Sequence, residues 1–308
     1  MMKYEEFESA ILKEIRATMG DDYRAVVQKI TKNNGLILAG ITITRQEDRV
    51  SPVIYLEPYF TKYNRGMGLE EILEEILRVY EDSKSHGKEF AEYSFDFDQL
   101  RDRVAFKLIC QKSNKELLSD VPNTPYLDLA IVYYILWDTN DLGQAVMLIR
   151  NSHLKKWGVT KEELHRLAQI NTERLRPANI RPIQDVMYDM IKAGVGEEAA
   201  RELCDIRKLD EDARFPMFVL SNEKSLNGAC CILYENFLGK FAERKNADII
   251  ILPSSVHETL LVPAKPGMDL EYFEQVVREV NDTLETEEIL SDSIYIYKRK
   301  DGTIHLAA

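Results

Sequence analysis

The chain has 308 residues, of which 45% are hydrophobic and 30% are charged, and its formal net charge is −12. This composition is typical of a globular protein that can bury a sizeable core, and the acidic balance argues against broad nucleic-acid binding, which needs a surplus of Lys and Arg on one face. The sequence shows no signal-peptide pattern and no run of about 18 apolar residues, so we expect neither export nor a membrane span.

Residues 1–95 predict an α-β-β-β-α unit. Apolar residues recur every three or four positions in both helices, which indicates one buried face on each. The turn Asn33-Asn34-Gly35 contains residue types that tolerate positive φ, which predicts a hairpin. The predicted elements are a helix over 4–19, strands over 23–30, 36–44 and 52–57, and a helix over 69–82.

Residues 96–210 predict a middle region that mixes strands and helices. An almost wholly apolar run, 127–137, predicts a buried strand despite Asp128 within it. Thr160-Lys161-Glu162-Glu163 has the spacing of a capping box and predicts the start of a helix. The other predicted elements are strands over 104–110 and 144–150 and a helical span over 183–205.

The last unit, residues 211–308, has the clearest pattern. Its elements follow the order β-α-β-β-α-β with a short fifth strand, and the two helices cover about 228–245 and 270–284. Because each helix has one apolar stripe, we expect both to pack on one face of an antiparallel sheet, as in a ferredoxin-like or related sandwich. Asp301-Gly302 predicts a two-residue hairpin turn. The fold class predicted for the whole chain is therefore α+β.

The segment Pro253–Glu258 holds the candidate catalytic residues of this unit. In a hydrolase, Ser254 or Ser255 would be the nucleophile and His257 its base, oriented by an acid. Glu258 cannot readily orient His257, because neighbours in an extended chain point to opposite faces. No G-x-S-x-G elbow is present either. The alternative is that the serine hydroxyls satisfy backbone groups of a tight connection, and on that interpretation we predict no catalytic residue.

Other residues that could carry chemistry lack the necessary spacing. His153 and His165 belong to no metal-binding pattern, so we predict no metal site. Cys230 and Cys231 are neighbours in a predicted helix, so we expect one thiol in the core and the other partly exposed. No phosphate-binding glycine loop is present, and we expect no cofactor. The four cysteines lack a paired C-x-x-C spacing and fit a reducing bacterial cytoplasm.

These observations leave three hypotheses about function. The first is a non-catalytic binding or regulatory protein that recognises a protein or small ligand, with Tyr295 and Tyr297 as candidate binding residues. The second is a hydrolase-like enzyme with a Ser/His site near residues 254–258. The third is an acidic inhibitor or immunity-type partner of a basic protein, which the net charge suggests. We expect no nucleic-acid and no membrane partner.

Three groups of motifs give the chain a resemblance to a known family. They are Asn151–Gly158 with Thr160–Leu164, Met217–Asn222 with Asn227–Ala229, and Pro253–Glu258 with Leu290–Ser293. In these motifs and over nearly its whole length the chain resembles an uncharacterised bacterial family, catalogued only as a domain of unknown function. The resemblance implies no activity, cofactor, substrate or catalytic residue.

Overall fold

The structure, a computed structural model, divides into two compact units, Met1–Gln99 and Leu100–Ala308. It describes residues 2–45, 51–92, 96–137, 145–203 and 215–307. Cys204 and the predicted boundary between residues 210 and 211 lie outside the described residues. Within the described ranges, no helix is long and apolar enough to cross a membrane.

The first unit contains a three-stranded antiparallel sheet in the order β1-β2-β3. Its elements are α1 (Tyr4–Met19), β1 (Tyr23–Thr31), β2 (Ile37–Arg45), β3 (Val53–Tyr55), α2 (Glu57–Asn64) and α3 (Leu69–Glu92). The predicted hairpin is present, and its tip has positive φ at Asn34 (57°) and Gly35 (74°). Helices α1 and α3 bury their apolar stripes in one core with Ile41 and Ile43 of β2. Helix α2 is an additional element that we did not predict.

The second unit begins with a sheet built around one fully buried strand. Helix α4 (Phe97–Leu100) spans the boundary between the two units. The elements that follow it are β4 (Val104–Cys110), α5 (Lys115–Asp120), β5 (Asn123–Tyr126), β6 (Leu129–Trp137), β7 (Ala145–Leu148), α6 (Asn151–Trp157) and α7 (Lys161–Leu175). Strand β6 pairs with β4 along one edge and with β5 and β7 along the other. Every residue of β6 is buried. It begins two residues later than predicted, because Leu127 and Asp128 form the turn that joins it to β5.

A six-stranded antiparallel sheet completes the second unit, in the order β13-β12-β10-β11-β9-β8. The elements are β8 (Ala178–Pro182), α8 (Ile183–Val195), α9 (Glu197–Leu203), β9 (Phe218–Asn222), α10 (Phe237–Lys245), β10 (Ile249–Leu252), β11 (Thr259–Pro263), α11 (Leu270–Asn281), β12 (Tyr295–Lys298) and β13 (Thr303–Leu306). The predicted α+β class is confirmed. Strand β8 comes from the predicted middle region and pairs with β9 of the last one, while the three-domain division itself stays a prediction.

The helices α10 and α11 pack on opposite faces of this sheet, and our expectation that they share one face is wrong. Phe273 of α11 packs with Ile250 and Val262, whereas Phe241 of α10 contacts the ring of Phe218 at a centroid distance of 5.2 Å. Phe218 pairs with Leu261, and Leu261 pairs with Ile251, so these three side chains lie on the same face of the sheet. Successive residues of a strand point to opposite faces, so Ile250 and Phe218 mark different sides of the sheet.

Three local predictions in the last unit also need correction. The predicted helix 228–245 is a 3-10 turn over Gly228–Leu233 followed by α10, and Asn236 between them has a φ of 55° that an α-helix does not accept. Both Cys230 and Cys231 are fully buried in that 3-10 turn, so neither thiol is partly exposed. The last hairpin has a four-residue loop, because Lys298 pairs with Thr303.

Candidate functional site

The connection between β10 and β11, Pro253–Glu258, is held together largely by its own groups. Ser255 is buried; its backbone N–H donates to the Glu258 carbonyl (3.1 Å), and its Oγ accepts from the His257 backbone N–H (3.0 Å). Ser254 is half-buried, and its hydroxyl has no hydrogen-bond partner in the described part of the chain. Among the described residues, therefore, no serine hydroxyl contacts the imidazole of His257.

Both ring nitrogens of His257 already face a group from another part of the chain. Nδ1 accepts a hydrogen bond from the Asn227 backbone N–H at 3.2 Å, and Nε2 lies 3.8 Å from Oε1 of Glu288. Since Nδ1 is the acceptor, the neutral ring carries its proton on Nε2, which faces the carboxylate. Burial lowers the pKa of His257, and Glu288 opposes this shift in part.

The acid beside His257 is Glu288, which sequence reasoning missed. Glu258, the neighbour that we considered, is half-buried, and burial raises the pKa of its carboxyl group. Glu288 reaches the site because its own carbonyl accepts from the backbone N–H of Val256 at 2.8 Å. No local pattern links Glu288 to His257, since the whole of α11 separates them in the sequence.

The family-like motifs of the last unit converge on this connection. The Ser221 hydroxyl donates to the His257 carbonyl at 2.8 Å, and the Ala229 N–H donates to the Val256 carbonyl at 3.3 Å. Gly228 is packed so closely that a Cβ there would lie 2.2 Å from Ser221 Oγ and 2.5 Å from the His257 carbonyl oxygen. The motifs therefore build a rigid polar cluster.

A second polar cluster surrounds Asp128, in the turn between β5 and β6. Its Oδ2 accepts from the Ser291 hydroxyl at 2.6 Å, and its Oδ1 accepts from the Tyr295 hydroxyl at 2.8 Å. Tyr295, one of the two candidate binding residues, is fully buried, and a binding role for it stays a prediction. Burial raises the pKa of Tyr295 far above its usual range, and Asp128 adds to that rise, so the phenol stays a protonated donor.

An open cavity of about 490 Å³ adjoins Asp128. Polar residue types predominate in its lining, although most of the lining surface is apolar. The lining comes from the end of β4, helix α5 and the β5–β6 turn: Gln111, Lys112, Lys115, Leu118, Ser119, Asn123 and Asp128. The carboxylate of Asp128 is half-buried, while Lys112 and Lys115 are exposed. The cavity therefore combines one fixed acceptor with two cationic side chains.

The other predicted binding residue, Tyr297, is half-buried at a separate cavity of about 440 Å³. Its hydroxyl lies 3.0 Å from the position of a Cβ built on Gly239. The lining is Gly239, Glu243, Asp248, Tyr297, Arg299 and Lys300. Lys298, in the basic run at this hairpin, pairs with Asp248 at 3.2 Å. A binding role for Tyr297 stays a prediction.

The remaining candidates are engaged in local contacts. His165 Nδ1 lies 2.9 Å from the hydroxyl of the buried Tyr133, and burial lowers the pKa of that imidazole. His153 Nδ1 accepts from the Arg150 backbone N–H at 3.2 Å. Within the described residues, no group of three or more His, Cys, Asp or Glu side chains could hold a metal ion.

Fold and site together define an α+β protein with two hydrogen-bonded polar clusters and two open cavities. The chain belongs to the family of unknown function DUF5688, which matches residues 4–299. The predicted resemblance to such a family over nearly the whole chain is confirmed. No curated protein and no solved structure matches the chain.

Proposed function

We propose that this chain is a non-catalytic binding protein of the bacterial cytoplasm that takes a small polar ligand. The surroundings of the His257 imidazole carry the proposal: Nδ1 accepts from the Asn227 N–H, and Nε2, which holds the proton of the neutral ring, lies 3.8 Å from Glu288. A serine nucleophile needs a base with a nitrogen that can take its proton. In the neutral ring Nδ1 is occupied and Nε2 already carries the proton, which argues against the hydrolase alternative. The free thiols of Cys110, Cys230 and Cys231 support the reducing compartment.

The cavity beside Asp128 is the ligand site in this proposal. Its volume of about 490 Å³ lies in the range of small-molecule pockets, roughly 300–1,000 Å³. The hydroxyls of Ser291 and Tyr295 hold both oxygens of the carboxylate, so the acceptor is in place before a ligand arrives. Such preorganisation reduces the entropy lost on binding.

Hydrolysis of chromogenic ester, amide and phosphoester probes by the full chain tests the non-catalytic part of the proposal. We expect rates equal to buffer alone for the wild type and for His257→Gln, Ser255→Ala and Ser254→Ala. A wild-type rate above buffer that His257→Gln or Ser254→Ala abolishes, with an unchanged circular dichroism spectrum, would overturn the proposal. Ser254→Ala is included because its side chain has no hydrogen bond in the described part of the chain, so its removal leaves the fold intact.

A further inference from the structure

Resting on the proposed function, we infer that the ligand is a zwitterion of the α-amino acid type. Its ammonium group binds Asp128, and its carboxylate binds Lys112 and Lys115. All three side chains line the same open cavity of about 490 Å³. Some hydrogen-bonding groups of that cavity are already occupied within the protein, and the others remain for a ligand.

The carboxylate of Asp128 is a charged acceptor that can accept further hydrogen bonds. Each carboxylate oxygen has two lone pairs, and Ser291 and Tyr295 occupy one on each oxygen. Ser291 is 3% and Tyr295 0% exposed, so neither donor can turn away towards water. Asp128 as a whole is half-buried and lines the cavity, so its carboxylate can accept further hydrogen bonds there. An ammonium group forms charge-assisted hydrogen bonds with such an acceptor, about twice as strong as neutral ones.

The uncommitted charged donors of the cavity are the two lysine ammonium groups. The Gln111 side-chain amide donates to the Leu129 carbonyl at 3.4 Å. The Ser119 hydroxyl donates to the Glu116 carbonyl at 2.6 Å, and the Asn123 side-chain amide donates to the carbonyls of Leu118 and Val121. Lys112 and Lys115, by contrast, have no hydrogen bond or ion pair within the part of the chain that the structure describes. They are unpaired although the chain has twelve more acidic than basic charges.

The turn that holds Asp128 is strained. Leu127, at the first position of the two-residue turn, has a φ of 53° and is 38% exposed. A branched side chain in the left-handed region is uncommon and persists only where the surroundings enforce it. Strained residues of this kind cluster at ligand sites. Here the strain accompanies the one carboxylate of the cavity.

A titration of the ¹⁵N-labelled full chain, followed by amide chemical shifts, tests the ligand class. The probes are free amino acids, N-acetyl amino acids that lack the ammonium group, and amino acid amides that lack the carboxylate. We expect free amino acids to shift the amides of residues 111–128 and the two blocked classes to bind at least tenfold more weakly, since a charged hydrogen bond contributes about 1.5–3 kcal/mol. Equal binding of a blocked class would overturn the inference and leave the proposed function standing. No shift near the cavity with any probe would overturn both.

Variants separate the two lysines from general charge effects. Lys112→Gln/Lys115→Gln should weaken binding of the free amino acid about tenfold or more, and the loss should shrink as salt rises because exposed charges are screened. Lys155→Gln/Lys156→Gln on α6 is the matched control, because it removes the same charge from exposed lysines outside the cavity. Equal weakening by both pairs would show that net charge alone matters, and the inference would fall.

Discussion

Gly228 fixes how closely the 3-10 turn can approach the β10–β11 connection. A methyl group at this position would lie 2.5 Å from the His257 carbonyl oxygen and 2.8 Å from the Asn222 nitrogen, and both are backbone atoms. Backbone atoms of a sheet cannot yield as a flexible side chain can. We therefore expect Gly228→Ala to lower the free energy of unfolding by about 1–3 kcal/mol or more, as overpacking does, measured by urea denaturation.

The same substitution in helix α8 provides the control. A Cβ on Gly194 would meet no heavy atom within 4 Å, and Gly194 lies inside a helix. Alanine is favoured over glycine there by about 1 kcal/mol. Gly194→Ala should therefore raise the free energy of unfolding. If Gly228→Ala and Gly194→Ala change the free energy of unfolding in the same direction, the close approach at Gly228 does not determine the effect of the substitution there.

At the scale of residues, the sequence indicated the type of each candidate but not its neighbours. The turn chemistry of serine predicted that Ser255 satisfies backbone groups of a tight connection, and its hydrogen bonds fit that interpretation. The partner of His257 could not be predicted, since Glu288 arrives through a backbone hydrogen bond to Val256. The burial of Tyr295 could not be predicted for the same reason: its partner, Asp128, lies 167 positions away in the sequence.

Among the secondary-structure elements, the opposite placement of α10 and α11 has a measurable consequence. Phe241 is 3% and Phe273 1% exposed, so each alanine substitution should lower the free energy of unfolding by about 3–5 kcal/mol. Because the two rings pack on different faces of the sheet, the losses should add within about 0.5 kcal/mol in the double variant. Urea denaturation of the two single variants and the double variant measures this directly.

Two phenylalanines in direct contact provide the positive control for this test of additivity. The rings of Phe218 and Phe241 meet edge to face, and aromatic pairs of this kind contribute about 0.5–1.5 kcal/mol beyond their buried area. The double-mutant cycle of Phe218→Ala and Phe241→Ala should therefore show coupling. Coupling of similar size between Phe241 and Phe273 would contradict the assignment of the two helices to opposite faces.

Helical periodicity explains why the order of elements was predictable and their placement was not. The apolar spacing from Leu270 onward fixes which side of α11 is buried, and Phe273 and Val277 are buried as expected. The spacing carries no information about which face of the sheet receives the helix. The alternation Ile294, Tyr295, Ile296 and Tyr297 showed that β12 has two different faces, but it did not show that both faces of the sheet are covered by helices.

For the whole molecule, the α+β class followed from the alternation of strand and helix patterns, and the two compact units can be tested separately. The core cluster of the first unit consists only of residues between Phe7 and Tyr80. Both tryptophans of the chain, Trp137 and Trp157, belong to the second unit. Tryptophan fluorescence therefore follows unfolding of the second unit, whereas far-ultraviolet circular dichroism follows both.

Ile41→Ala should destabilise the first unit alone. Ile41 is fully buried in β2, so its truncation removes about 2–5 kcal/mol. In urea, the circular dichroism transition should gain an early component while the midpoint of tryptophan fluorescence stays in place. Ile251→Ala, at a fully buried position of β10, is the matched control and should lower the fluorescence midpoint. If Ile41→Ala lowers that midpoint equally, the two units unfold as one cooperative structure, because destabilising either core then destabilises both.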